Sequence, residues 1–106
     1  MEIPLVGKFG EDIYPKGVEA ALDEAVAQGV KHAVIRIKSG GGEVWAAQGI
    51  AEVLARFQGR ITTHALIEQA LSASIWVVFS CDTIDVVPGA TLGAAVVYTR
   101  DKSTGA

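Results

Sequence analysis

The chain has 106 residues, half of them apolar, and its mean hydropathy of +0.35 is sufficient for the core of one small domain covering residues 1–106. Its net charge is −3 and no cluster of Lys and Arg is present to neutralise phosphates, which argues against a nucleic-acid partner. The longest apolar run, residues 75–79, is too short to cross a bilayer, and no secretory signal opens the chain, so a cytoplasmic protein without a membrane segment is expected.

The first two thirds of the chain alternate between strand and helix patterns. Short apolar or alternating runs predict strands at residues 2–6, 33–37 and 61–67. Apolar residues that recur every three or four positions predict helices at residues 16–28 and 44–57. Gly29 and Gly59 are expected to end these helices.

The last third is less regular. Residues 70–73 favour helix whereas residues 75–78, which are β-branched and aromatic, favour strand, so local sequence leaves this segment open. A strand at residues 83–87 is predicted to stop at the Pro-Gly turn that follows, and residues 91–98 resume an apolar pattern. Strands that alternate with helices predict an α/β fold with a mostly parallel sheet, built from right-handed βαβ units with helices packed on it.

Three consecutive glycines interrupt the chain between the second strand and the second helix, in VIRIKSGGGEV at residues 34–44. In a parallel sheet, ligands bind beyond the carboxyl ends of the strands, and this loop lies at such an end. Glycines there allow positive φ and leave backbone N–H groups free to hold an oxyanion, aided by the helix N-terminus. A tight turn without a ligand is an equally good interpretation of the loop alone. A phosphate loop is disfavoured because no Gly-Lys-Ser/Thr follows.

Two segments together resemble a known family. VIRIKSGGGEVWAAQGIAEVL is similar to the strand, Gly-Gly loop and helix of the Clp protease proteolytic subunit and its relatives, the signal-peptide peptidase A and NfeD-type serine proteases. QALSASIWVVFSCDTIDVVPGATLGAA resembles the family's Ala-Ser-Ala-Gly nucleophile segment and the Pro-Gly turn of the NfeD type. The resemblance covers nearly the whole chain and implies a fold of the ClpP/crotonase type, although KSGGG stands where the family reads Asp/Asn-Ser/Thr-Pro-Gly-Gly.

The resemblance also implies a catalytic arrangement. Ser72 falls on the nucleophile, while the backbone N–H groups of Gly41, with Gly42 beside it, and of Ala73 fall on the oxyanion donors. It implies a helix over residues 70–80, opened by the serine. The expected substrate is a peptide or protein, and the expected assembly is a homo-oligomer. No cofactor is expected, and the single Cys81 excludes an internal disulfide and a cysteine-built metal site.

The general base that a serine nucleophile needs has no counterpart in the expected places. The histidine of the Clp type falls near Ala95, and the lysine of the NfeD type lies beyond Ala106, so the C-terminal part of the fold is expected to be missing. Lys102 lies in a tail expected to be solvated, and Lys38 adjoins the glycine loop but would be protonated if solvated. His32 and His64 are interpreted as surface or packing residues. Ser74 is interpreted as a helix-capping or packing residue.

Three functions therefore remain open. The first is a serine peptidase of the Clp/NfeD type, incomplete or inactive as this chain. The second is a non-catalytic module for oligomeric assembly or binding on the same fold. The third, ranked last because no suitably placed acidic pair is evident, is acyl-CoA chemistry of the crotonase type.

Overall fold

The computed structural model describes residues 1–93 of the chain. Its four strands are β1 (Glu2–Val6), β2 (His32–Ser39), β3 (Thr62–Leu71) and β4 (Thr83–Gly93). Its three helices are α1 (Pro15–Ala27), α2 (Val44–Arg56) and α3 (Ser74–Val78). The first two helices and first three strands lie where the periodicity predicts them, with shifts at their ends.

The four strands form one parallel sheet in the order β1-β2-β3-β4. The α/β class expected from the alternating pattern is therefore confirmed. Because every right-handed crossover steps in the same direction, all helices are placed on the same face of the sheet. The residues of β2 show this arrangement: Ala33, Ile35 and Ile37 are buried, while the positions between them are exposed or half-buried.

The helices bury narrow apolar stripes against that face. Helix α1 begins at Pro15, whose fixed φ suits the first helical position, and it buries Val18, Leu22 and Ala25. It is followed by Gly29, whose φ of +77° ends the helix. Helix α2 buries a similar stripe, and the core between the helices and the sheet is filled by large side chains, namely Phe9, Leu22, Ile35, Ile37, Ile50, Leu54 and Ile67.

The other face of the sheet carries polar side chains. At its centre, Arg36 of β2 donates to Glu2 of β1 over 2.9 Å and lies 3.4 Å from Glu68 of β3. The hydrogen bond that Arg36 donates to Glu2 is the main reason that the pKa of Arg36 is raised. Parallel sheets are usually covered on both faces. This ladder of charges makes the uncovered face compatible with water.

The helix expected over residues 70–80 is only partly found. Strand β3 continues through Leu71, and α3 begins at Ser74. The strand is longer because Ala70 pairs with Ser39 of β2, and Leu71 pairs with Gly93 of β4. Backbone pairing on both sides outweighs the helical preference of the alanines. The expectation of helix was wrong for residues 70–73 and 79–80 and correct for residues 74–78.

The Pro-Gly turn does not end the fourth strand as expected. Residues 83–93 form the single strand β4, and its register against β3 shifts so that Ile67 faces Val86 while Gln69 faces Thr91. Residues 87–90, including Gly89 with a φ of +82°, lie opposite the single residue Glu68 and form an irregular bulge larger than the common one-residue kind. The strand pattern expected at residues 91–98 extends past Gly93, outside the described residues.

Candidate functional site

The glycine loop after β2 is held against the loop between β1 and α1. Phe9 donates its N–H to the carbonyl of Gly41 over 3.0 Å, and its own carbonyl accepts the N–H of Glu43 over 2.8 Å. Gly41 and Gly42 have φ values of +114° and +136°. A Cβ on Gly42 would clash with the carbonyl oxygen of Phe9 and lie 2.6 Å from its nitrogen. Glycine is therefore required at Gly42 by both backbone conformation and space.

Ser72 lies directly against this loop. A Cβ on Gly41 would be 2.8 Å from the Cβ and 3.3 Å from the Oγ of Ser72. Ser72 has a φ of +54°, which is unusual for a residue other than glycine, and it occupies the sharp turn between β3 and α3. Its side chain is exposed, so the hydroxyl is accessible. The structure thus brings together two of the residues singled out in the sequence.

The backbone amides near Ser72 differ in their availability. The N–H of Gly41 already donates to the hydroxyl of the buried Ser39 over 3.1 Å, and that hydroxyl lies 3.2 Å from the Gly41 carbonyl. Within residues 1–93, the N–H groups of Gly42 and Ala73 have no hydrogen-bond partner. Of the predicted donors, Gly41 is engaged, whereas Gly42 and Ala73 are not engaged by any residue of 1–93.

Ser74 contributes a feature that the sequence did not suggest. The capping hydrogen bond that would accompany the expected capping role is absent from α3. The residue is fully buried, and within residues 1–93 its Oγ has no hydrogen-bond partner. A buried hydroxyl left without a partner costs about 1–3 kcal/mol in lost solvation.

A cavity of about 590 Å³ opens beside the glycine loop, at the carboxyl ends of β1, β2 and β3. Its polar lining includes the side chains of Lys8, Asp12, Lys38 and Gln69, with backbone from residues 40–42. Lys8 pairs with Glu11 over 2.9 Å, and this hydrogen bond raises the pKa of Lys8. Ser72 is not among the lining residues, although it lies against Gly41, which is.

The two histidines lie far from Ser72. His32 and His64 are at the amino-terminal ends of β2 and β3, whereas Ser72 follows the carboxyl end of β3. Eight residues of extended chain separate His64 from Ser72, or about 26 Å. Within residues 1–93, the Ser72 hydroxyl has no hydrogen bond to any side chain. Lys102 and the position of Ala95, the other places considered for a base, lie outside the described residues.

Cys81 follows α3 but is not a reactive thiol. Burial raises the pKa of its thiol to about 11, and its Sγ contacts the carbonyl of Val77 at 3.6 Å. At neutral pH the thiol is protonated, and a protonated thiol is a poor nucleophile and a poor metal ligand. Within residues 1–93 there is also no group of three or more His, Cys, Asp or Glu residues placed to hold a metal ion.

Comparison with known proteins gives a family and a fold. The family described as "NfeD1b, N-terminal domain" matches residues 3–106. Among the chains of solved structures that match is a ClpP1 mutant from Listeria monocytogenes, with a TM-score of 0.65 and 20% sequence identity. The match covers 76% of this chain and 46% of that ClpP1 chain, so the present chain spans less than half of it. A comparison with curated proteins gives no match. Among the helices of residues 1–93, none has the length and apolar character needed to cross a bilayer.

Proposed function

Because the chain belongs to the family of NfeD1b N-terminal domains and has a ClpP-like fold, we propose that it carries the nucleophile and oxyanion donors of a serine peptidase. Ser72 is the nucleophile in this proposal, and its substrate is a peptide or protein. The observation that carries the proposal is the contact between Ser72 and the glycine loop, in which a Cβ on Gly41 would lie 3.3 Å from the Ser72 Oγ.

The chemistry begins with attack of the Ser72 oxygen on a peptide carbonyl. A base takes the hydroxyl proton as the C–O bond forms, and the carbonyl oxygen becomes negative in the tetrahedral intermediate. The N–H groups of Gly42 and Ala73, which no residue of 1–93 engages, are the first candidates to hold that oxygen. Collapse of the intermediate breaks the C–N bond, the proton passes to the leaving amine, and water later hydrolyses the acyl-enzyme. Loss of one oxyanion donor costs roughly 3–4 kcal/mol in barrier height.

Gly41 can join these donors only if its present hydrogen bond is given up. Its N–H is bound to the Ser39 hydroxyl at 3.1 Å. Rotation of the Ser39 side chain about χ1 would release the amide, since the hydroxyl is attached to the chain by a single rotatable bond. On this account the N–H of Gly41 becomes available beside that of Gly42 only when the substrate binds.

Within residues 1–93 no base is hydrogen-bonded to Ser72, although Lys38 lies beside the glycine loop and lines the cavity there. Neither histidine of residues 1–93 is within reach of Ser72, because both lie near the amino-terminal ends of their strands and Ser72 follows the carboxyl end of β3. A base contributed from another part of the protein or from a neighbouring subunit fits this arrangement. The proposal therefore assigns the nucleophile and the oxyanion donors to residues 39–73 and leaves the proton acceptor outside them.

A fluorophosphonate probe tests the proposal on the full-length protein. We expect a covalent adduct on Ser72, mapped by mass spectrometry, and no adduct in Ser72→Ala. Ser74→Ala is the matched control, because it removes a neighbouring hydroxyl that is buried, and it should still be labelled at Ser72. Absence of an adduct on Ser72 in the folded full-length protein would refute the peptidase proposal.

A non-catalytic assembly or binding module is the second candidate. Two observations favour it: the Gly41 amide is satisfied internally, and within residues 1–93 no base contacts Ser72. On this alternative the full-length protein forms a stable homo-oligomer in light scattering, is not labelled by the probe, and hydrolyses no peptide. Labelling of Ser72 together with peptide hydrolysis would eliminate it.

A further inference from the structure

The two histidines at the amino-terminal edge of the sheet meet across neighbouring strands. His32 Nδ1 lies 2.9 Å from His64 Nε2, and His64 Nδ1 lies 2.7 Å from the hydroxyl of Thr83. The three residues come from β2, β3 and β4 and share the face of the sheet opposite the one on which the helices of residues 1–93 pack. From this geometry we propose that His32, through Nδ1, and His64, through Nε2, together bind a divalent transition metal ion such as zinc or copper.

The separation of the two nitrogens is close to that of two ligands on one metal ion. Zinc–imidazole bonds of about 2.0–2.1 Å at a tetrahedral angle place the two nitrogens roughly 3.3 Å apart. The observed 2.9 Å contact must open by only a few tenths of an ångström. The rings have centroids 5.1 Å apart and planes 24° from each other. With the facing nitrogens 2.9 Å apart, this is the arrangement of a direct N–H···N hydrogen bond, so both rings must turn about their side-chain torsions for an ion to lie between the two nitrogens.

Thr83 gives His64 the hydrogen bond that metal-binding histidines normally have. When His64 Nδ1–H donates to Thr83 Oγ1, the lone pair of His64 is on Nε2, the nitrogen that faces His32. His32 is exposed and can place its proton on Nε2, which leaves the lone pair of its Nδ1 facing the same space. Both ligand atoms are then available without any change in the backbone.

The donor set determines the class of ion. Imidazole nitrogens favour zinc, copper and nickel, whereas calcium and magnesium require several oxygen ligands. Within residues 1–93 no third His, Cys, Asp or Glu completes the pair, so water fills the remaining positions. A two-histidine site with open positions is expected to bind more weakly than a structural zinc site and to exchange its metal. The site lies near the amino-terminal ends of the strands, whereas Ser72 follows the carboxyl end of β3. It is therefore independent of the proposed peptidase function.

Calorimetric titration of the tag-free chain with ZnCl₂ tests the site. We expect one Zn²⁺ per chain and a rise in the melting temperature that MgCl₂ at the same concentration does not produce. His32→Gln and His64→Gln should each lower the affinity more than about tenfold, and Thr83→Val should lower it by about tenfold, because it removes the orienting hydrogen bond but neither ligand. Cys81→Ala is the control and should bind Zn²⁺ as the natural chain does, since its thiol is buried and protonated.

Three outcomes would overturn the proposal. One is the absence of Zn²⁺ binding in a folded chain, which would leave the histidine pair as a hydrogen bond between strands. Another is binding that persists in both histidine variants. The third is one Zn²⁺ per two chains with metal-induced dimerisation in light scattering, which would place the ion between copies instead of within one. Circular dichroism of each variant without metal establishes that it is folded.

Discussion

Gly42 occupies a backbone position that no other residue can take without displacing Phe9. Its φ is +136°, and an added Cβ would clash with the Phe9 carbonyl oxygen. We expect Gly42→Ala to lower the free energy of unfolding by about 3 kcal/mol or more, because backbone strain and a steric clash act together. Urea denaturation followed by circular dichroism measures the change.

Substitutions at two further glycines distinguish the cost of backbone strain from the cost of the steric clash. Gly59 has a φ of +82° but open space around its Cα, so Gly59→Ala should cost about 1 kcal/mol from strain alone. Gly40 has neither a positive φ nor a neighbour within 4 Å, and Gly40→Ala should change stability by less than about 0.5 kcal/mol. Equal losses at Gly40 and Gly42 would contradict the steric explanation.

Cys81 makes the stability of the fold depend on pH in the alkaline range. Its thiol has a pKa of about 11 in the folded chain, raised by burial from an ordinary value of 9.0. Below pH 9 the folded and the unfolded chain both keep the thiol proton, so the thiol does not make the free energy of unfolding depend on pH there. Between pH 9 and 11 the unfolded chain loses the proton while the folded chain retains it, so the free energy of unfolding falls as pH rises.

Cys81→Ala should remove this part of the pH dependence. Between pH 8.5 and 11 we expect the unfolding free energy of the natural chain to fall by about 1–2 kcal/mol relative to that of the variant. Tyrosine and lysine titrations affect both chains alike and cancel in the comparison. Urea midpoints at several pH values provide the measurement, and parallel curves for the two chains would show that the thiol is not protected by the fold.

At the scale of elements, sequence reasoning succeeded where a periodic pattern ran between clear end signals. Strand β1 and helices α1 and α2 were predictable because apolar spacing and following glycines agreed. It failed for residues 70–73, where the outcome depends on pairing with both β2 and β4. Such long-range pairing leaves no local signal. The juxtaposition of Gly41 and Ser72 followed from family resemblance, whereas the hydrogen bond that engages the Gly41 amide required the folded arrangement of Ser39.

The two glycines inside helices offer a test of helix packing. Gly17, near the start of α1, has no neighbour within 4 Å of an added Cβ, so Gly17→Ala should raise the unfolding free energy by about 0.5–1 kcal/mol through helix propensity. In α2, an added Cβ on Gly49 would lie 2.6 Å from the Pro15 ring, and Gly49→Ala should therefore destabilise the pair of helices. Thermal unfolding measures both, and stabilisation by Gly49→Ala would show that the helices can separate without cost.

At the scale of the whole molecule, strand β4 lies at one edge of the sheet formed by residues 1–93 and exposes large apolar side chains. Ile67 of β3 is buried, but its partner in β4, Val86, is 53% exposed. Within residues 1–93, two other large apolar side chains of β4 are also exposed, namely Ile84 and Leu92. An exposed apolar edge strand promotes association with another chain.

We therefore expect the chain to self-associate, at least to a dimer, through its β4 edge. Val86→Lys should shift light scattering toward the monomer, because a charge on the edge opposes strand pairing. Val6→Lys is the matched control: Val6 is 46% exposed and lies on β1 at the opposite edge of the sheet. A monomer at high concentration, or association that Val6→Lys reduces and Val86→Lys does not, would contradict the expectation.

The strand order β1-β2-β3-β4 has a consequence for how the molecule forms. Each strand pairs with the strand that precedes it in the chain, so no segment has to wait for a distant one before it can dock. During synthesis, which delivers about 5–20 residues per second from the amino terminus, the sheet can grow one βα unit at a time. Among residues 1–93 the last strand to be made is β4, and its outer edge has no strand partner within those residues.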